Sequence, residues 1–164
     1  MGSGKTTIGK LLATKLNMDF VDLDDWIEKE AKMTINEIFA KLGEPHFREV
    51  ETKIVKKACN EVNNSVISTG GGVILKEENV ENLHQAGVLI WLKVSPEKVY
   101  ERIKNTFHRP LLNCLDHVEK IKKLLSFRIP YYAKAADYIV DTSNLTAEEI
   151  VSKIVKITSG VECD

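Results

Sequence analysis

Apolar residues Ile8, Leu11, Leu12 and Leu16 recur at helical spacing, which predicts a helix from Lys5 to about Leu16. The next apolar run, FVDLD from Phe20 to Asp24, reads as a short strand with two carboxylates at its C-terminal end. Thr34 and Glu37 form a capping box, each side chain satisfying a free amide of the other. It opens a short helix, INEIFAKL, that Gly43 ends, and a long amphipathic helix is expected from Pro45 to Val62. VISTGGG, Val66 to Gly72, is a buried β run that stops in three glycines. VLIWLKV, Val88 to Val94, is a continuous apolar strand of the kind covered on both faces in a parallel sheet. Ser95 followed by Pro96 is an N-cap with proline at the first helical position, opening the helix EKVYERI. DYIVDT, Asp137 to Thr142, is the last strand, and a second capping box at Thr146 to Glu149 opens the terminal helix AEEIVSKIVKI.

Strands alternating with helices imply an α/β fold, a parallel sheet with helices on both faces. No repeat or linker divides the chain, so residues 1–164 are expected to form a single domain. The irregular stretch KNTFHRPLLNCLDH, residues 104–117, has the length and composition of a lid. Composition narrows the possibilities. The 43% apolar and 29% charged fractions are ordinary for a soluble enzyme, and a net charge of −1 gives no global field favouring nucleic acid or anionic lipid. Cys59, Cys114 and Cys163 form neither a disulfide framework nor a zinc pattern and suit a reducing cytosol. No run approaches the roughly 18 apolar residues of a membrane span, and a cytoplasmic location is expected.

The chain opens with GSGKTT, which reads as the second half of a phosphate-binding loop of pattern G-x-x-x-x-G-K-S/T. Gly2, Ser3 and Gly4 let backbone amides approach phosphate oxygens, and the helix behind them adds a partial positive charge. Lys5 would reach the β/γ-phosphates, the Thr6 hydroxyl would ligate Mg²⁺, and Thr7 completes the nucleotide-binding run. Asp22 and Asp24 alternate along the expected strand and so share a face. One can hold a hydrated Mg²⁺ while the other accepts a proton from an attacking hydroxyl. Asp25 is assigned instead to capping the helix at Trp26. Gly70, Gly71 and Gly72 cost chain entropy unless something must approach the backbone closely, which points to a ligand. Arg48 has Glu44, Glu49 and Glu51 as helix neighbours, Arg109 lies in the lid, and Arg128 stands just ahead of a proline that should disturb its helix. Singly each reads as structural; together they suit a carboxylate and a polyphosphate.

The order GSGKTT, DLDDWIE, EPHFREVE, STGGGV, HRPLL, RIPYY resembles shikimate kinase, from Gly2 to about Asn144. The resemblance implies a three-layer P-loop kinase fold with strand order 2-3-1-4-5. It also implies ATP-dependent phosphorylation of shikimate to 3-phosphoshikimate, in aromatic amino acid biosynthesis. It makes Asp24, Arg48, Gly71 and Arg128 shikimate ligands, the arginines on the carboxylate and Asp24 the candidate base. Asp22 would act on one Mg²⁺ through water. Arg109 would close over the phosphates, making Lys5, Asp24 and Arg109 the catalytic set, and Arg102 would lie against the adenine. The expected partners are shikimate and ATP alone, with the protein a monomer.

One departure stands at the start. The front of the phosphate loop and the strand leading into it, strand 1 of the family, lie before Met1 in the pattern. Met1 is therefore expected to be an internal methionine of a longer chain, and a chain beginning there is expected to fold poorly, because a central strand's burial is comparable to a domain's net stability. The alternatives are another small-molecule kinase of the same fold, such as a gluconate kinase, and a non-catalytic relative.

Overall fold

A computed structural model describes residues 2–103 and 117–160. Helix α1 spans Lys5–Leu16 as the spacing predicts, but its buried face is Ile8, Gly9, Leu12 and Ala13, while Leu11 and Leu16 of the expected stripe are exposed. Strand β1 is Asp19–Asp22, and helix α2, Leu23–Ala31, follows without a break. Helix α3 runs from Ile35 to Glu61 with one non-helical residue, Gly43 at φ 81 and ψ 171, so the expected pair of helices is present as two segments of one kinked rod. Phe39 and Phe47 pack across the kink with ring centroids 4.6 Å apart. The Thr34–Glu37 capping box is formed as expected: the Glu37 amide donates to Thr34 Oγ1 at 3.2 Å and the Thr34 amide to Glu37 Oε2 at 2.9 Å.

Strand β2, Ser65–Ser68, leads through the glycines into a 3-10 turn at Val73–Leu75 and helix α4, Glu77–Ala86. The pattern analysis did not assign α4. Strand β3, Ile90–Lys93, helix α5, Pro96–Ile103, helix α6, His117–Ala135, strand β4, Tyr138–Asp141, and helix α7, Ala147–Thr158, complete the order. Ser95 caps α5 through its Oγ, which accepts from the Lys98 amide at 3.3 Å, and the second capping box opens α7. Proline was expected to disturb the helix carrying Arg128, yet α6 continues through Pro130 to Ala135. Among the described residues no helix is long and apolar enough to cross a membrane.

The strands form two parallel pairs, β1 with β2 (Asp19 opposite Ser65) and β3 with β4 (Ile90 opposite Tyr138). Among the described residues β2 and β3 do not pair with each other. Between them lies a cavity of about 820 Å³ whose walls include Ile67 of β2, Leu92 of β3, and Ile8 and Leu12 of α1. Two separate cores result. Leu23, Ile27, Ile38, Ile54, Val55 and neighbours lie beneath α2, α3 and α4, while Ile8, Leu12, Val140, Ile150 and Ile154 join α1, β4 and α7.

Ile54 is 1% exposed inside the first core. Ile54→Ala is expected to cost about 2–5 kcal/mol of unfolding free energy in urea titration, through lost transfer energy and the cavity left behind. Leu42→Ala, at an exposed position, should stay within about 0.5 kcal/mol.

Candidate active site

Gly2 and Gly4 both take positive φ, 63° and 81°, and curl the chain into the start of α1. Gly4 is the N-cap and supplies no side-chain hydrogen bond, so the first-turn amides of α1 have no side-chain acceptor there. Such amides, with the helix dipole behind them, suit an anion. Lys5 Nζ donates to the buried Ser3 Oγ at 3.4 Å, which holds the ammonium over the loop, and Thr7 lies exposed in the first turn. Arg102, from the last turn of α5, donates to the Gly2 carbonyl at 3.4 Å and to the Thr142 carbonyl at 3.0 Å. It therefore braces the loop against the end of β4.

The carboxylates differ from expectation in one respect. The strand ends at Asp22, not Asp24, so the two do not share a strand face. Asp22 is the N-cap of α2 in place of Asp25: its Oδ1 accepts from the Asp24 amide at 3.1 Å. Asp25 is exposed in the helix's first turn, where a negative charge complements the dipole. The reason is local competition, since an aspartate side chain that reaches the amide two residues on ends a strand and starts a helix at once. The other oxygen of Asp22, Oδ2, accepts from Thr6 Oγ1 at 3.0 Å. The predicted metal pair is thus brought together. Asp24, two residues on, turns instead toward the glycine loop.

There the structure shows what comes close to the glycine backbone. A Cβ on Gly70 would stand 3.1 Å from Asp24 Oδ1 and 3.2 Å from Glu51 Oε1. One on Gly72 would stand 2.5 Å from both terminal nitrogens of Arg48. Neither glycine has positive φ; their role is to admit the site's own charged side chains. Arg48 donates to Glu51 Oε2 at 2.7 Å and, through Nε and Nη2, to Glu44 Oε1 at 3.2 and 2.9 Å. The ion pair with Glu44 weighed from the sequence is real, but so is the contact with Gly72. Arg128 reaches the same region: its charge acts on Glu51 and on the Tyr132 hydroxyl, and its Nε is buried with no partner.

Glu51 is the residue that sequence reasoning missed as part of the site. It is 3% exposed. Burial pushes its carboxyl up, the hydrogen bond and charge of Arg48 pull it down, and Asp24 raises it again; burial prevails and the net direction is upward. Arg48 shows the opposite balance. Burial works against its cation, but Glu51 and Glu44 hold it above its ordinary value. A signal for Glu51 existed, because it falls on the stripe of Phe47, Ile54, Val55 and Ala58, the buried face of α3. A carboxylate at an apolar position of a helical period marks a paired charge. Arg109 and most of the expected lid lie outside the described residues.

A glycine-rich loop opening a helix, a carboxylate on its threonine, and a cationic pocket beside the next strand end define a P-loop α/β phosphotransferase. Comparison with known proteins narrows this. Residues 1–159 match the family model for shikimate kinase. The shikimate kinase of Thermodesulfovibrio yellowstonii is 47% identical over 156 residues, covering 95% of this chain and 89% of that protein. That of Caldicellulosiruptor saccharolyticus is 46% identical over 99% of this chain and 93% of its own. Among solved structures, shikimate kinase from Acinetobacter baumannii, in complex with shikimate, superposes with a TM-score of 0.92 at 34% identity, covering 100% of this chain and 91% of that one. The Aquifex aeolicus enzyme gives 0.82 at 37% identity, over 98% and 92%. This chain belongs to the shikimate kinase family, whose members are ATP-dependent phosphotransferases acting on a hydroxyl group.

The raised pKa of Glu51 has a testable sign. A carboxyl that holds its proton more tightly folded than unfolded stabilises the fold below its ordinary value of 4.5, and that contribution is lost as pH rises through the folded value. Glutamine does not titrate. The stability of Glu51→Gln relative to the parent should therefore increase across a denaturation series from pH 4.5 upward and then level off. A constant or falling difference would contradict the burial of this charge.

Proposed function

We propose that this chain phosphorylates shikimate with ATP by the family's reaction, and that the span Asp22–Asp24 joins its two half-sites. The observation that carries the reading is the pair of contacts made by that span. Asp22 Oδ2 accepts from Thr6 on the phosphate loop, while Asp24 Oδ1 stands over Gly70. A nucleotide phosphate at the head of α1 and a hydroxyl held by Asp24 would then face each other across one turn of backbone.

The amides of Gly2 to Thr7 and the ammonium of Lys5 bind the phosphates, with Arg102 steadying the loop. Asp24 takes the proton of the attacking hydroxyl. Arg48 and Arg128 hold the substrate carboxylate: Arg48 keeps part of its N–H set beyond its bonds to Glu44 and Glu51, and Arg128 has its buried Nε. Gly70 to Gly72 keep the floor of this pocket low. Two arginines beside a glycine floor suit a carboxylated acceptor; gluconate is also a carboxylate, so a substrate panel rather than the arginines separates it from shikimate. Arg109 completes neutralisation of the transferred group, as positioning and charge compensation dominate phosphoryl transfer.

Thr6 and Asp22 fit a hydrated Mg²⁺. Their oxygens lie 3.0 Å apart beside Lys5, and no group of three or more acidic, His or Cys ligands is present among the described residues. Such a sparse set suits an ion that keeps water and phosphate oxygens as its other ligands. Bound there, Mg²⁺ would neutralise the β- and γ-phosphate oxygens. The protein acts as a monomeric, single-domain cytoplasmic enzyme, with ATP and shikimate its only partners.

The test is ADP release with ATP and Mg²⁺, with and without shikimate; release independent of shikimate would refute the assignment. Within it, Arg128→Ala is expected to raise the shikimate KM at least about tenfold with little change for ATP, since a charged hydrogen bond is lost. Gly72→Ala should lower the thermal midpoint and raise the shikimate KM together, because its Cβ would stand 2.5 Å from the Arg48 guanidinium and push it off the buried Glu51.

A further inference from the structure

Tyr132 joins the glycine loop to the helix that carries Arg128. Its hydroxyl donates to the Gly71 carbonyl at 2.5 Å, and Arg128, one helical turn earlier on the same face of α6, is near enough for its charge to act on that hydroxyl. Its ring stacks on Trp91 of β3, centroids 5.4 Å apart and planes 21° apart, which fixes the direction in which the hydroxyl points. Burial pushes the phenol up, more than Arg128 pulls it down, so it keeps the proton it donates.

We infer that Tyr132 is a positioning residue for the acceptor substrate, its hydroxyl fixing the Gly71 carbonyl beside the Arg128 guanidinium. The inference rests on the reading of Arg128 as a carboxylate ligand. A trans peptide points its N–H opposite to its C=O. Fixing the Gly71 oxygen on Tyr132 therefore turns the Gly72 N–H to the other side of the loop. Gly72 is also where Arg48 packs. One hydroxyl thus acts on both arginine arms of the pocket, on Arg128 directly and on the backbone beneath Arg48. It also ties α6, which follows the expected lid in the chain, to the floor of the acceptor pocket. Neither the nucleotide loop nor Thr6 and Asp22 has a described hydrogen bond to Tyr132, so the effect should be confined to the acceptor side.

Tyr132→Phe keeps the ring on Trp91 and removes only the hydroxyl. The expected result is a rise of about tenfold in the shikimate KM, the scale of a lost hydrogen bond, with kcat, the ATP KM and the thermal midpoint nearly unchanged. In the double variant with Arg128→Ala the two rises in shikimate KM should fall short of multiplying, since part of the hydroxyl's action runs through the guanidinium and the rest through the Gly71 carbonyl. An unaltered shikimate KM in Tyr132→Phe, a parallel rise in both KM values, a fall in the thermal midpoint, or multiplying effects in the double variant each overturn the inference. The arginine variant separates the two levels. A normal shikimate KM in Arg128→Ala refutes the substrate-site reading and this inference with it. A raised value there beside a normal one in Tyr132→Phe removes the inference alone.

Discussion

The carboxylate of Asp22 is the contact on which the site is organised. With one oxygen it accepts the Thr6 hydroxyl, and with the other it accepts the Asp24 amide and starts α2. Both tasks need the same rotamer. The cap fixes the side chain, and the fixed side chain then offers its second oxygen to the phosphate loop. Because a strand ends and a helix begins at this residue, the next carboxylate is carried round by helical rather than strand geometry. That rotation sends Asp24 toward Gly70 while Asp22 stays on Thr6, which in the proposed reading separates acceptor chemistry from phosphate chemistry within three residues.

The acceptor pocket depends on a different constraint, the cost of burying charge. Glu51 lies in the apolar stripe of α3 and is tolerable only because Arg48 and, at longer range, Arg128 offset it. The arrangement fixes the Arg48 guanidinium from one side with Glu51 and from another with Glu44, and glycine at 72 leaves room for it above the loop. Preorganisation of this kind lowers the entropy lost when a carboxylate binds. It also explains why the glycines follow a strand rather than a turn: what they accommodate is side-chain bulk from two other elements.

The division of the sheet has its own consequence. One core lies under α2, α3 and α4; the other joins α1, β4 and α7, with Val66 of β2 and Ile90 and Leu92 of β3 packed against it. α1 lies along the cavity between the pairs, with Ile8 and Leu12 in its wall. Among the described residues, ties of the phosphate loop at the head of α1 include α1's own packing, Thr6 on Asp22, and Arg102 on Thr142. These side-chain ties hold the loop in register with both strand pairs.

Much of the fold was legible in the sequence because the signals are local. Apolar spacing marked α1, both capping boxes opened helices where Thr34 and Thr146 stand, and Ser95-Pro96 opened α5. The phosphate loop and its threonine were readable for the same reason, as consecutive residues acting together. α4 was passed over, and the strand that was drawn to Asp24 stops at Asp22, because a side chain that can cap competes with a backbone that can pair and the sequence shows both options. What only the tertiary structure decided is which distant groups share space. The approach of Arg48 to Gly72, of Asp24 and Glu51 to Gly70, and of Tyr132 to Gly71 each joins residues from separate elements. No periodicity encodes such a meeting. The sequence by itself determined the chemical groups and the local turns that present them; the packing of α3 and α6 against one glycine loop made those groups a site, because close approach and shared burial arise only once the elements are assembled.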